Sequence, residues 1–204
     1  MKFIIIGQQG TGKHEVCRKL NEMGVKVAKL FSTLPKTYPS IYHSGDYERY
    51  SMADINELFE NGSYIFMHEI TSSETDQGAH RFFEGLTHFE LDNSDVVIMS
   101  PDQVLAMQAP QVHLPICFVW MDGTKQYRQR RHRSEKREYS FAERERIENQ
   151  DLNEFSKCVY TFETAGGRVP VIYFNQEEPA RVATIIAALV KHPDLQESFI
   201  KNFN

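Results

Sequence analysis

The sequence predicts an α/β fold, a doubly wound parallel sheet with helices on both faces. Short apolar runs recur along the chain, helical stretches alternate with them, and the runs lack the in–out alternation of a half-wet sheet. The runs are Phe3–Ile6, Tyr64–Met67, Val96–Met99, Ile116–Met121 and, after Gly166-Gly167, Val171–Phe174. Each is rich in Val, Ile, Phe or Tyr, as in strands covered on both sides. Helical candidates fall at Lys13–Met23, Met52–Asn61, Asp102–Met107, Thr124–Arg133, Phe141–Lys157 and Glu178–Lys191. In the last, Val182, Ile185, Ile186, Leu189 and Val190 form an i, i+3, i+4, i+7, i+8 stripe.

At 204 residues the chain suits one core, with room for a small inserted lobe. Apolar residues at 41% and charged residues at 25% speak against disorder. A net charge of −5 gives no support for a nucleic-acid partner; positive charge gathers locally between Lys125 and Arg146. No apolar run approaches the ~18 residues of a membrane span, so no membrane partner is expected, and with a strand opening the sequence no leader is expected either. Cys17, Cys117 and Cys158 are odd in number and lack C-x-x-C spacing. They read as reduced thiols of a cytoplasmic protein without a zinc site. The eight histidines show no ligand spacing, and no metal-ligating set is assigned.

The chemistry starts at the first strand, which runs into Gly7-Gln-Gln-Gly10-Thr11-Gly12-Lys13. This fits G-x-x-x-x-G-K. Backbone N–H groups of such a loop turn inward around a phosphate chain, and the lysine amine neutralises its outer oxygens. The helix beginning at Lys13 adds its N-terminal dipole to the same anion site. Gly7, Gly10, Thr11, Gly12, Lys13 and His14 are therefore the candidate phosphate residues. His14 stands where Ser or Thr ordinarily meets Mg²⁺; it either offers a neutral imidazole or sits on the first helical turn. Mg²⁺ can rest mostly on phosphate oxygens and water.

Two segments break the alternation. Phe31–Ser51 is aromatic and rich in hydroxyls, too long for a simple connector. Arg128–Arg146 is dense in arginine. A phosphate loop serves a hydrolase, a switch or a kinase. Arginines that close over a transferring phosphoryl group are what a small phosphotransferase needs. The competing reading is a solvated helix of Arg–Glu pairs, since Glu135, Glu138, Glu143, Glu145 and Glu148 are interspersed.

With these residues the chain resembles the nucleoside monophosphate kinases, most nearly the guanylate kinases. Asp46-Tyr47-Glu-Arg-Tyr-Ser51, then Ile55, Leu58-Phe59 and Asn61–Ile65, are similar to that family's G-x-D-Y-x-F-x-S run and the helix and strand after it. Val171–Asn175 looks like its last strand, whose asparagine lies near the donor's adenine, and Met121-Asp122-Gly123 sits where the family has Pro-Pro-Ser.

The resemblance implies a P-loop three-layer fold in one domain, residues 1–204, with an acceptor-binding insertion at about 31–63 and a lid at about 128–146. It implies ATP and Mg²⁺ as cofactors and a nucleoside monophosphate as acceptor. Lid arginines fall at Arg130, Arg133 and Arg144 or Arg146, and the adenine-side residue at Asn175. Ser32, Thr33, Lys36, Tyr47 and Arg49 fall in the acceptor lobe. The family's two monophosphate-gripping arginines are missing there, leaving Lys36 and Arg49 as the nearest cations. Its guanine-reading glutamate falls on Phe66, three residues before Glu69, and its second acidic reader near Ser100, two before Asp102. Glu69 and Asp102 either serve a base or Mg²⁺ through water, or are solvated edge residues; Tyr47 either bonds the acceptor phosphate or packs. The expected activity is γ-phosphoryl transfer from ATP. The alternative is a weak or inactive guanylate-kinase-like binding module or nucleotide-gated regulator that holds a protein partner in the acceptor groove.

Overall fold

The structure, a computed structural model, describes residues 1–7, 10–34, 47–72, 80–107, 115–124, 126–128 and 169–203, with helical positions at 153, 155–157 and 159–160. Strands are β1 (Lys2–Gly7), β2 (Leu30–Ser32), β3 (Tyr47–Arg49), β4 (Tyr64–Ser72), β5 (His80–Thr87), β6 (Val96–Ile98), β7 (Ile116–Asp122) and β8 (Val171–Asn175). Helices are α1 (Lys13–Glu22), α2 (Met52–Asn61), α3 (His88–Asn93), α4 (Pro101–Ala106), α5 (Pro179–Lys191) and α6 (Pro193–Phe203).

A parallel sheet in the order β6-β1-β7-β8 forms the centre. β1, β6 and β7 are almost wholly buried, so both their faces are covered, while the edge strand β8 exposes Tyr173 and Asn175. Phe3 and Ile5 face α1 and α5, joining Val16, Leu20, Val182 and Ile186; Ile4 and Ile6 face the other way, joining Trp120, Val104 and Phe155. Trp120 stacks on Phe155 at 4.4 Å, and Phe118 meets the same ring edge-on at 6.0 Å. The α5 stripe is buried as its spacing predicts, with Val182, Ile186 and Leu189 inside and Ile185 and Val190 at the margin. Cys17 and Cys117 are buried free thiols, and burial pushes the Cys117 thiol up to about 12, which keeps it inert.

A second sheet is ordered β3-β2-β5-β4, and its Leu30, Ile65, Phe66 and Leu86 join the same core cluster as Ile4 and Ile6 of the first. It is mixed: β4 and β5 run antiparallel, β2 is antiparallel to β5, and β3 joins β2 in parallel. Here one expectation is corrected. Tyr64–Met67 opens β4 of this sheet and is not an inner strand of the parallel one. A register shift between Tyr64 and Phe66 explains the misleading pattern, because it places consecutive Ile65 and Phe66 in the core.

Local signals set the helix ends. Ser51 caps α2 through a reciprocal box: its Oγ accepts from the Asp54 N–H at 3.2 Å, and Asp54 Oδ2 accepts from the Ser51 N–H at 2.6 Å. Gly62, left-handed at φ 61°, closes that helix. The α6 helix lies beyond the last element the sequence predicts and packs on β8 and α5.

Candidate functional site

At the carboxyl end of the parallel sheet, backbone geometry shapes the glycine loop. Gly7 has φ 145°, and a Cβ there would lie 2.0 Å from the Met121 carbonyl oxygen, so only glycine lets β1 and β7 end side by side. Gly10 (φ 77°) and Gly12 (φ 92°) are left-handed, and Gly12 is the N-cap of α1 without a side chain to offer. The early N–H groups of α1 therefore open on the loop. Lys13 is the first helical residue, and its Nζ donates to the Gly7 carbonyl at 2.5 Å, arching back over the loop. Thr11 is buried, and His14 is exposed on the first turn.

Two residues outside the sequence candidates belong to this end of the sheet. Asp122 closes β7 in register with Asn175 of β8, and its Oδ1 accepts from the Gly123 N–H at 2.6 Å. Arg128 is buried; its Nε donates to the Gly123 carbonyl at 3.1 Å. Its backbone oxygen lies 3.2 Å from where a Gly10 Cβ would be, so the root of the arginine run packs on the glycine loop. Asn175 is exposed beside Gln176, whose φ of 55° and N–H bond to the Asp122 carbonyl turn the chain there. Spacing favoured Arg130 and Arg133 in the run and gave no cue to Arg128. Arg130, Arg133, Arg144, Arg146 and Lys36 lie outside the described residues, as do most of the Thr124–Arg133 and Phe141–Lys157 helical candidates.

The second sheet brings together a different set. Residues paired across neighbouring strands share a face. One row is apolar: Tyr47 pairs with Leu30 and Phe66 with Leu86, all packed on the core. Two residues along, on the same face, the row turns polar: Arg49 pairs with Ser32, Ser32 with Glu84, and Glu84 with His68. Ser32 and Glu84 are each 3% exposed. Glu84 Oε1 accepts from Gln103 Nε2 at 2.5 Å and lies 3.3 Å from His68 Nε2. The hydrogen bond to Glu84 raises the His68 pKa above its ordinary value; burial opposes the rise, and the charges of Glu84 and Asp102 add to it. Arg49 donates to the Leu34 carbonyl at 2.8 Å, and the Ser32 hydroxyl accepts from the Leu34 N–H at 3.2 Å.

Of the sequence candidates, Ser32, Tyr47 and Arg49 thus share one face, with Asp102 of α4 near it. Thr33 and Glu69 do not. The Thr33 hydroxyl accepts from the Phe83 N–H at 2.8 Å, and Glu69, one residue out of phase with His68, meets Arg81 at 3.4 Å on the exposed side. Sequence reasoning missed His68, Glu84 and Gln103. The available signal was Phe82-x-Glu84-x-Leu86, a carboxylate on the apolar side of an alternating strand.

A four-stranded parallel sheet flanked by helices, whose first strand enters a glycine loop at the head of a helix, is consistent with a P-loop kinase fold. Among solved structures, the chain is similar to the guanylate kinase from Anaplasma phagocytophilum, with TM-score 0.53 and 12% identity over 95% of this chain and 85% of that one. A sugar kinase from Janibacter sp. HTCC2649 also matches, with TM-score 0.38 and 12% identity over 93% of each chain. No protein-family model matches the chain, and no curated protein sequence does. Among the described residues no helix is long and apolar enough to cross a membrane.

Proposed function

We propose that this chain is a phosphotransferase that moves the γ-phosphoryl group of ATP to a nucleoside monophosphate. The observation that carries the reading is Lys13, drawn back onto Gly7 across a loop of left-handed glycines at the head of α1. That arrangement offers inward N–H groups and one ammonium to a polyphosphate. Arg128 holds the base of the arginine run against the loop, and Arg130, Arg133 and Arg144 or Arg146 are proposed to close over the transferring group. Asn175 is proposed at the adenine side. A phosphate oxygen of the acceptor is already a nucleophile, so positioning and charge neutralisation supply the catalysis.

The acceptor lobe is proposed to be the whole second sheet, through Thr87, with Ser32, Tyr47 and Arg49 on its working face. Magnesium fits this site in one way. Position 14 carries an imidazole where a hydroxyl is expected, and among the described residues no group of three or more His, Cys, Asp or Glu is arranged to hold a metal ion. The ion would rest on phosphate oxygens and water, supplying charge neutralisation. A second reading, a nucleotide-gated binding module, draws its support from His14.

The test is ADP formation from ATP with a panel of ribo- and deoxynucleoside monophosphates, beside Lys13→Ala. Turnover that falls about 10²–10³-fold in the variant is expected. Nucleotide binding without turnover of any acceptor would favour the second reading.

A further inference from the structure

A polar joint ties the second sheet to the parallel one. Ser100 follows β6, and the Met99 N–H before it donates to the Ile5 carbonyl of β1 at 3.1 Å. The Ser100 N–H donates to Gln103 Oε1 at 2.9 Å, which turns the other end of that amide toward β5. There Gln103 Nε2 donates to Glu84 Oε1 at 2.5 Å. The remaining contact is apolar, with Val104 of α4 in one core cluster with Phe66 and Leu86 of the second sheet.

This joint contains a charge that needs an opposite one. The Glu84 side chain is 4% exposed, and no donor among the described residues reaches its Oε2. Gln103 gives a hydrogen bond but no charge. A carboxylate taken out of water is costly without a counter-charge. His68 of β4 supplies one when protonated, its Nε2 lying 3.3 Å from Glu84 Oε1. Its own side chain is 25% exposed, so it exchanges its proton with water while Glu84 stays dry. Among the charges around it, Asp102 of α4 also favours the protonated ring. Arg49, farther along the row, donates to the Leu34 carbonyl and stays charged throughout, and Glu69 and Arg81 meet on the opposite face.

We infer that His68 is a pH-sensitive latch: its protonated ring holds Glu84 as a buried ion against Gln103, and loss of that proton lets β4 and β5 part from α4. The hydrogen bond to Glu84 raises the His68 pKa above its unfolded value of about 6.5. The joint is therefore complete below about pH 6.5 and weakens as pH rises through the folded value. With the ring neutral, the Glu84 carboxylate is left buried without a counter-charge, and the open form, in which water reaches it, gains population. The inference stands on this geometry and does not depend on the chain being a kinase. Under the proposed function, the same joint sets how firmly the acceptor lobe is held to the donor sheet.

Amide hydrogen exchange of the full chain, read by mass spectrometry between about pH 5.5 and 8.5, tests this, with protection corrected for the intrinsic exchange rate. Peptides from β4, β5 and α4 are compared in the same sample with those from α1 and α5, on the other face of the parallel sheet. In the wild type, protection at β4, β5 and α4 is expected to fall about threefold or more as pH rises, and to stay level at α1 and α5. His68→Gln keeps a donor for Glu84 but cannot carry the charge, and Glu84→Gln needs no counter-charge. Each is expected to give a level profile at all five elements. A level wild-type profile, an equal fall at α1 and α5, or a fall like the wild type's in either variant overturns the inference. Thermal unfolding is read alongside; a variant that does not fold is set aside, and the wild type with whichever variant remains decides by the same criteria.

Discussion

The two sheets bring polar groups together by different means. The parallel sheet ends in a feature made of backbone, where glycines at 7, 10 and 12 take positive φ and the last of them caps α1. The second sheet makes its surface from side chains that meet only across strands, in the row Arg49–Ser32–Glu84–His68. A backbone site is fixed by local conformation and tolerates change in its side chains. A cross-strand row depends on register, and one slipped residue would turn it to the other face.

A matched pair of glycines puts this contrast to the largest test. At Gly7 a Cβ would sit 2.0 Å from the Met121 carbonyl oxygen; at Gly85 it would sit 2.3 Å from the Phe66 oxygen and 2.4 Å from the Phe31 ring. Gly7→Ala also demands a positive φ, so it should cost about 4 kcal/mol or more in denaturant unfolding. Gly85→Ala should cost about 3 kcal/mol, because the Phe31 ring can shift although the strand cannot. Equal and small losses at both would break the comparison. Next comes Trp120→Ala, which removes the stacking surface of Phe155 and should cost about 3–5 kcal/mol by the same measurement. Ser51→Ala, at the α2 cap beside β3, should cost about 1 kcal/mol.

The smallest effect is a pH dependence confined to the second sheet. Glu84 raises the folded-state pKa of His68 above its unfolded value of about 6.5. Its contribution is therefore complete below about pH 6.5 and is lost as pH rises through the higher folded value. Denaturation midpoints taken at pH 5.5 and above pH 8 should show this loss in the wild type and a smaller one in His68→Gln. A wild type that instead gains from His68 on going alkaline would contradict the assignment.

How much of this was legible follows from the same contrast. The glycine loop, the α2 cap and the α5 stripe are written in neighbouring residues, so motif and period reveal them. The second sheet is not. Its β2 and β3 strands are three residues each, too short for a period, and the bulge at the start of β4 imitates a fully buried strand. The acceptor residues suffered accordingly. Ser32, Tyr47 and Arg49 were candidates by resemblance, as was Glu69, while the carboxylate that lies in their row is Glu84, from a strand the sequence did not announce. Gln103 was hidden further, since its role rests on a capping box that orients its amide into another element.

In the proposed function, the glycine loop and the second sheet form the donor and acceptor halves of one transfer site. Following the label of γ-³²P-ATP in the presence of nucleoside monophosphates tests it most directly. The account predicts label in a nucleoside diphosphate, abolished by Lys13→Ala and dependent on the acceptor's base. Label found only in inorganic phosphate, or left in ATP while nucleotide binds, would contradict it.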